Sequence, residues 1–287
     1  MALLNGVFAA AITPRRGGEI DLGATLDVID FLIAAKVDGL ALFTRAGEPV
    51  HFTASDRLRV LNLVTRRTRL PVAAGIAASN GDDAAELVAG AVRMGIAALL
   101  VSPPYLYRYR QSDLYDYYVS LAREAAGVPL LIYQAPELGE PLTPATGAAL
   151  LNTGLVAGIA ADGVDGQFLR LVRALAPGEW TAAAASDEAW LDERTPAVIS
   201  PAACAVPELL RALVRGAPME HYLREFLQRS ECLAFPAPVR EALAARKVKT
   251  GPHAIPPSAE TQSRLAGFRE WFVEWLPRIQ SEARDGK

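Results

Sequence analysis

LVAGIAADGVD, residues 155–165, is a run of small apolar residues that ends in a loose turn. A short apolar run without alternation reads as a strand buried on both faces, the kind a parallel sheet requires. It falls just past the middle of a chain of 287 residues. The strand, 156–160, ends at Ile159-Ala160-Ala161, where no side chain can do covalent work. Outward from it, the same unit repeats in both directions.

Upstream, apolar runs at 6–12, 39–43, 71–76, 97–101 and 128–133 are each followed by helical spacing. The first is closed by Thr13-Pro14 and the turn Arg15-Arg16-Gly17-Gly18, and the fifth by Pro136. Asp21, Thr53 or Ser55, Ser79-Asn80, Ser112 or Asp113, and Thr143-Pro144 are the helix-start signals, and the helices run to about 35, 67, 94, 126 and 152. Downstream, the sixth strand leads to a helix at 167–175. A weak, alanine-rich seventh strand at 180–185 precedes a helix at 188–194, and an eighth at 197–200 precedes one at 207–215. Eight such units predict a closed (β/α)8 TIM barrel. No GxGxxG follows the first strand, which argues against an open dinucleotide-binding sheet. Past this point helical patterns at 219–234, 239–247 and 258–276 have no strands between them, and prolines punctuate them. The expected division is a barrel over 1–217 and a C-terminal helical domain over 218–287.

Composition is that of a globular protein, 51% hydrophobic and 21% charged, with a formal net charge of -3. The basic residues are dispersed, so no nucleic-acid footprint is expected. No apolar run reaches the roughly 18 residues of a membrane span. The apolar start, MALLNGVFAAAITP, lacks a basic segment and reads as a strand, not a signal peptide. Cys204 and Cys232 lack CxxC spacing and are expected to be two buried thiols in a reducing cytoplasm. His51, His221 and His253 are too scattered to suggest a metal site, and no cofactor is expected.

In a barrel of this kind reactive groups stand at the C-terminal ends of the strands. Those positions hold Thr13; Thr44, Arg45 and Glu48; Ser79 and Asn80; Ser102, Tyr105 and Tyr107; Tyr133, Gln134 and Glu137; Asp162; Ser186, Asp187 and Glu188; and Ser200. Tyr133 reads equally as a proton relay or as a mouth aromatic satisfied locally. Arg45 reads equally as a carboxylate or phosphate clamp or as a salt-bridge partner of Glu48. Asp162, Asp187 and Glu188 read as rim or capping residues in preference to a cation site. The tyrosines between 105 and 118 read as a subunit contact in preference to a ligand cage. The lysines are Lys36, Lys247, Lys249 and Lys287; the first lies at the opposite end of the barrel and the rest in the C-terminal extension. None is placed to form an imine.

The sequence resembles the dihydrodipicolinate synthase / N-acetylneuraminate lyase family. The likeness is carried by GVFAAAITP with GGEID, DFLIAAKVDGLAL, AGE at 46–48, PVAAGIAASN, VSPPY, VPLLIYQAP, VAGIA and AVISPAA, in that order. It implies a TIM barrel with a C-terminal helical domain, a homotetramer or dimer, and reversible aldol chemistry on a pyruvate-like 2-oxo acid through a lysine imine. Carried over by position, the imine lysine falls at Ala160. The loop whose threonines bind the substrate carboxylate reads Thr44-Arg45-Ala46-Gly47-Glu48, of which only Gly47 and Glu48 match. The tyrosine exchanged between subunits falls at Leu106, with Tyr105 or Tyr107 available by a shift, and an arginine of some members falls near Leu138. Tyr133 matches the catalytic tyrosine, and Gly158, Ile159, Pro136 and the strand-eight run with Ser200 match the scaffold. The candidate set is therefore Tyr133 as catalytic group, Ala160 as the place of the missing lysine, and Arg45, Ala46, Gly47, Glu48, Leu106 and Ser200 for substrate. The expected function is a divergent member that binds a small carboxylate or is non-catalytic. The alternative is a lyase or other enzyme acting on a 2-oxo or hydroxy acid through Arg45 and Tyr133, without an imine.

Overall fold

The computed structural model describes residues 4–135, 137–162 and 167–285. Eight parallel strands close into a barrel: β1 (Gly6–Ala10), β2 (Gly39–Leu42), β3 (Val72–Ile76), β4 (Ala98–Val101), β5 (Leu130–Gln134), β6 (Gly158–Ala161), β7 (Thr181–Ala184) and β8 (Ala197–Ser200). Each pairs with its sequence neighbours, and β8 closes on β1 with Ala9 opposite Ser200. The strands are buried along both faces, as unalternating apolar runs demand. The expected closing residue Pro136, and Gly163 to Asp165 of the central stretch, lie outside the described residues.

Alternation splits each strand between two cores. Val7, Leu40, Val72, Leu99, Leu130, Ile159 and Val198 face the surrounding helices. Phe8, Ala41, Ala73, Leu100, Leu131, Tyr133, Ala160, Ala183 and Ile199 fill the barrel. The interior is rich in alanine because a few large side chains occupy most of its volume. The Phe8 ring sits where a Cβ on Gly39 would lie, 2.3 Å from its nearest atom, so only glycine fits there.

Between the strands run α1 (Leu22–Ala34), α2 (Ala54–Arg67), α3 (Gly81–Arg93), α4 (Gln111–Glu124), α5 (Pro144–Asn152), α6 (Gln167–Leu175) and α7 (Asp187–Glu193). Asp21, Thr53, Asn80 and Thr143 cap helices as expected, Thr53 in a reciprocal capping box with Asp56. α4 starts ahead of Ser112, because the Asp113 carboxylate accepts from Arg110 N at 3.2 Å and sits in the first turn. Two features were not legible. Arg15–Arg16 and Glu19–Ile20 form a small antiparallel hairpin, and a one-turn helix, α8 (Pro201–Ala205), intervenes before α9 (Pro207–Val214).

The C-terminal helices are α10 (Glu220–Ser230), α11 (Ala237–Ala245) and α12 (Ala259–Asp285). Phe226, Phe268, Phe272 and Trp275 make an aromatic core between α10 and α12. α12 does not stop at Leu276; it runs through Pro277 to Asp285. An internal proline costs roughly 3 kcal/mol, and contacts beyond it offset that cost. Ile279 is fully buried, Gln280 bonds Glu208 at 3.0 Å, and Tyr222 donates to Glu282 at 2.7 Å. α11 is pinned to the barrel by the buried Arg240, which donates to Thr13 O at 3.1 Å and to the Glu48 carboxylate. No helix among the described residues is long and apolar enough to cross a membrane.

Candidate functional site

The strands converge on the barrel mouth at their C-terminal ends. There Tyr133 is the register partner of Ala160, and Ala160 of Ala183. All three point inward, and Ala160 has no exposed surface while Tyr133 is 2% exposed. Ala46, Ala135, Leu138 and Ala185 are buried in the same apolar cluster. Around Ala160, then, the described residues present packed apolar side chains instead of polar groups. Leu138, near where the resemblance puts an arginine, is part of that packing.

Arg45 begins a turn of 3-10 helix, Arg45–Gly47, just past β2. Its backbone N–H donates to Tyr133 Oη at 3.4 Å. Its guanidinium bonds both carboxylate oxygens of Glu137, at 3.0 and 3.1 Å, and lies 3.5 Å from Asp162. The same group stacks 4.1 Å from the centre of the Phe235 ring, in the C-terminal extension. Burial lowers the affinity of Arg45 for its proton, but Glu137 and Asp162 outweigh it and its pKa ends above the ordinary value. Burial pushes the Tyr133 phenol up to about 12, against the opposing effect of the Arg45 N–H and charge. Tyr133 therefore keeps its proton at neutral pH.

The salt bridge between Arg45 and Glu48 does not form. Glu48 closes the 3-10 turn in the left-handed region, φ 49°, and its carboxylate goes to Arg240 and, at 3.8 Å, to His51. Gly47 lies against the end of β1: a Cβ there would be 3.3 Å from Ala11 O and from Thr13 Oγ1. The Thr44 hydroxyl is buried and has no hydrogen-bond partner among the described residues.

Ser200 is buried and donates to the Asp187 carboxylate while capping Ala203 N of α8 at 2.8 Å. Asp187 also accepts from Ala202 N at 2.8 Å. It is thus a buried capping residue, not a solvated rim group, and burial raises its pKa to about 7. Among the described residues no three His, Cys, Asp or Glu side chains gather to hold a metal. Leu106 stands away from the mouth cluster, 79% exposed with φ 81°, beside the exposed Tyr107. The tyrosine-rich stretch divides. Tyr118 and Tyr117 tie α4 to the carbonyls of Val101 and Ser102, at 3.0 and 3.4 Å, so those two serve the core.

Phe235 and Arg240 carry no sequence signal for a place at the mouth, since both lie in the C-terminal extension, far along the chain from the strands they meet. The model of the dihydrodipicolinate synthetase family matches residues 3–264. The chain belongs to the dihydrodipicolinate synthetase family. Within it, a 4-hydroxy-tetrahydrodipicolinate synthase of Phenylobacterium zucineum is 35% identical over 136 residues, covering 47% of this chain and 46% of the relative. Another, of Syntrophus aciditrophicus, is 32% identical over 160 residues, covering 55% of each. The chain thus spans about half the length of the curated relatives it matches.

The fold is shared with solved structures of the family. A catalytic lysine mutant of the Ruminococcus gnavus sialic acid aldolase superposes with a TM-score of 0.86 at 19% identity, covering 97% of this chain and 100% of that one. A prophage protein of the dihydrodipicolinic acid synthase family from E. coli K12, solved in complex with pyruvate, gives 0.84 at 23% identity, covering 96% and 99%.

Proposed function

We propose that this member of the family carries out no Schiff-base chemistry and is a non-catalytic, small-acid-binding barrel in which Arg45 holds the acid. One observation supports this above the others. The position where the resemblance places the imine lysine is Ala160, buried among apolar side chains at the barrel mouth. An imine needs a primary amine in contact with the substrate carbonyl. Lys36 follows α1 at the opposite end of the barrel, and Lys247 and Lys249 follow α11.

The reading with Arg45 and Tyr133 as an imine-free catalytic pair has less support. A phenol raised to about 12 is far from the neutral range in which a general acid or base is effective. The natural test is borohydride reduction in the presence of pyruvate, followed by intact mass. The unmodified mass is expected; a stable adduct would overturn the proposal. Homo-oligomerisation, as a dimer or tetramer, belongs to the same reading and is supported by the exposed Leu106 and Tyr107.

A further inference from the structure

The barrel mouth is closed from above, and the closure is built from parts that are distant in sequence. Arg45 comes from the loop after β2, Glu137 from the loop after β5, Asp162 from the end of β6 and Phe235 from the segment between α10 and α11. The four meet at one guanidinium, with carboxylate oxygens at 3.0, 3.1 and 3.5 Å and an aromatic face at 4.1 Å. Beneath it lie Tyr133 and Ala160, at 2% and 0% exposure. Around it the cover is only partly buried. The Arg45 and Glu137 side chains keep 24% and 58% of their exposure, and Phe235 keeps 36%.

We propose that Arg45 is a latch. Its contacts with Glu137, Asp162 and Phe235 hold the turn after β2, the end of β6 at Asp162, Glu137 beyond β5 and the C-terminal extension together over the mouth, and their release opens a path to Tyr133 and Ala160. Three features of the geometry favour a latch over permanent packing. Its bonds are ionic and stacking contacts at a partly wet surface, which individually contribute little and exchange readily with water or another anion. The loops that it joins have no other shared partner among the ion pairs of the described residues: Glu137 pairs with Arg45 alone, and Asp162 likewise. Other ties between the barrel and the C-terminal extension, among them Arg240 with Glu48 and Arg246 with Glu208, lie away from this guanidinium, so the extension remains anchored while the Phe235 segment moves. The latch does not depend on what the mouth binds, and it stands whether or not the proposed acid is its ligand.

The test is the accessibility of a thiol introduced by Ala160→Cys. Cys232, expected from the sequence to be buried, is exposed and is first replaced by serine; Cys204 is buried, and burial raises its thiol to about 12, so it stays silent. In this background the thiol at position 160 is expected to react with a small disulfide reagent at least about 100-fold more slowly than in the denatured chain, as expected for a site that opens only transiently. Adding Arg45→Gln, or Phe235→Ala, is expected to speed the reaction about tenfold or more while the circular dichroism and melting transition remain those of a folded barrel. Rapid reaction with Arg45 intact would overturn the proposal by showing an open mouth. Continued protection in both folded variants would also overturn it and assign the closure to the packing of Leu138 and Tyr133. If Arg45→Gln fails to fold, Phe235→Ala alone decides the matter on the same two criteria.

Discussion

Asp187 gives this fold a pH dependence, and burial of the neighbouring Glu188, whose pKa is also raised, acts in the same direction. Asp187 is buried, and its carboxyl holds its proton up to about pH 7, whereas in the unfolded chain it ionises near the ordinary aspartate value of 3.8. Between those values the folded state binds the extra proton. The stability this contributes is complete at acid pH and is lost as the pH rises through about 7. Asp187→Asn keeps the shape and removes the titration. Urea midpoints measured from about pH 5 to 8 should fall for the parent protein and run flatter for the variant. Equal slopes would show that Ser200 and the α8 backbone stabilise an ionised Asp187 better than burial penalises it. The neighbouring residues at the mouth give a consistent picture. Ala160 and Tyr133 lie where the resemblance expects reactive groups, yet one has no chemistry and the other a phenol held in its protonated form.

Among the elements, α11 has the greatest consequence for the site. Its Arg240 is 2% exposed and reaches three acceptors: Thr250 O, Thr13 O and the Glu48 carboxylate. Removing one partner of such a pair leaves the other without compensation, at a cost of about 3–5 kcal/mol. Arg240→Ala should lower the stability by that order in denaturant unfolding, and a loss below about 1 kcal/mol would show that water replaces the contact. The helix boundaries show how far local signals reach. Asp21, Thr53, Asn80 and Thr143 were legible as caps because a cap is a contact between residues three apart. The end of α12 was not, because what carries it past Pro277 is burial of Ile279 and bonds to Glu208 and Tyr222, from other helices.

For the molecule as a unit, an exposed leucine and tyrosine at one loop tip, Leu106 and Tyr107, are costly to leave in water and suit a second copy of the chain. Sedimentation at micromolar concentration should give the mass of a dimer or tetramer, and Leu106→Asp should shift it toward monomer; a monomeric parent would count against assembly through this loop. The barrel itself was legible in the sequence. Eight short apolar runs, each with its helix, make a parallel sheet buried on both faces, and eight units with no GxGxxG after the first favour a closed barrel over an open sheet; that pattern is local and repeated. The lack of an amine at position 160 was equally plain there. Which strand-end residues meet was left to tertiary packing. Arg45 and Glu48, three apart and of opposite charge, were a natural pair on sequence, but the left-handed turn at Glu48 sends the two side chains to different partners. Ser200, read on sequence as a substrate group, and Asp187, read as a rim or capping residue, are joined in the fold as buried caps of α8. Phe235 and Arg240 reach the mouth from nearly 200 residues away along the chain, as shown by the separation of 192 between Arg240 and Glu48. Contacts at such separations depend on how the helices pack around the closed barrel, and no window of sequence contains both partners.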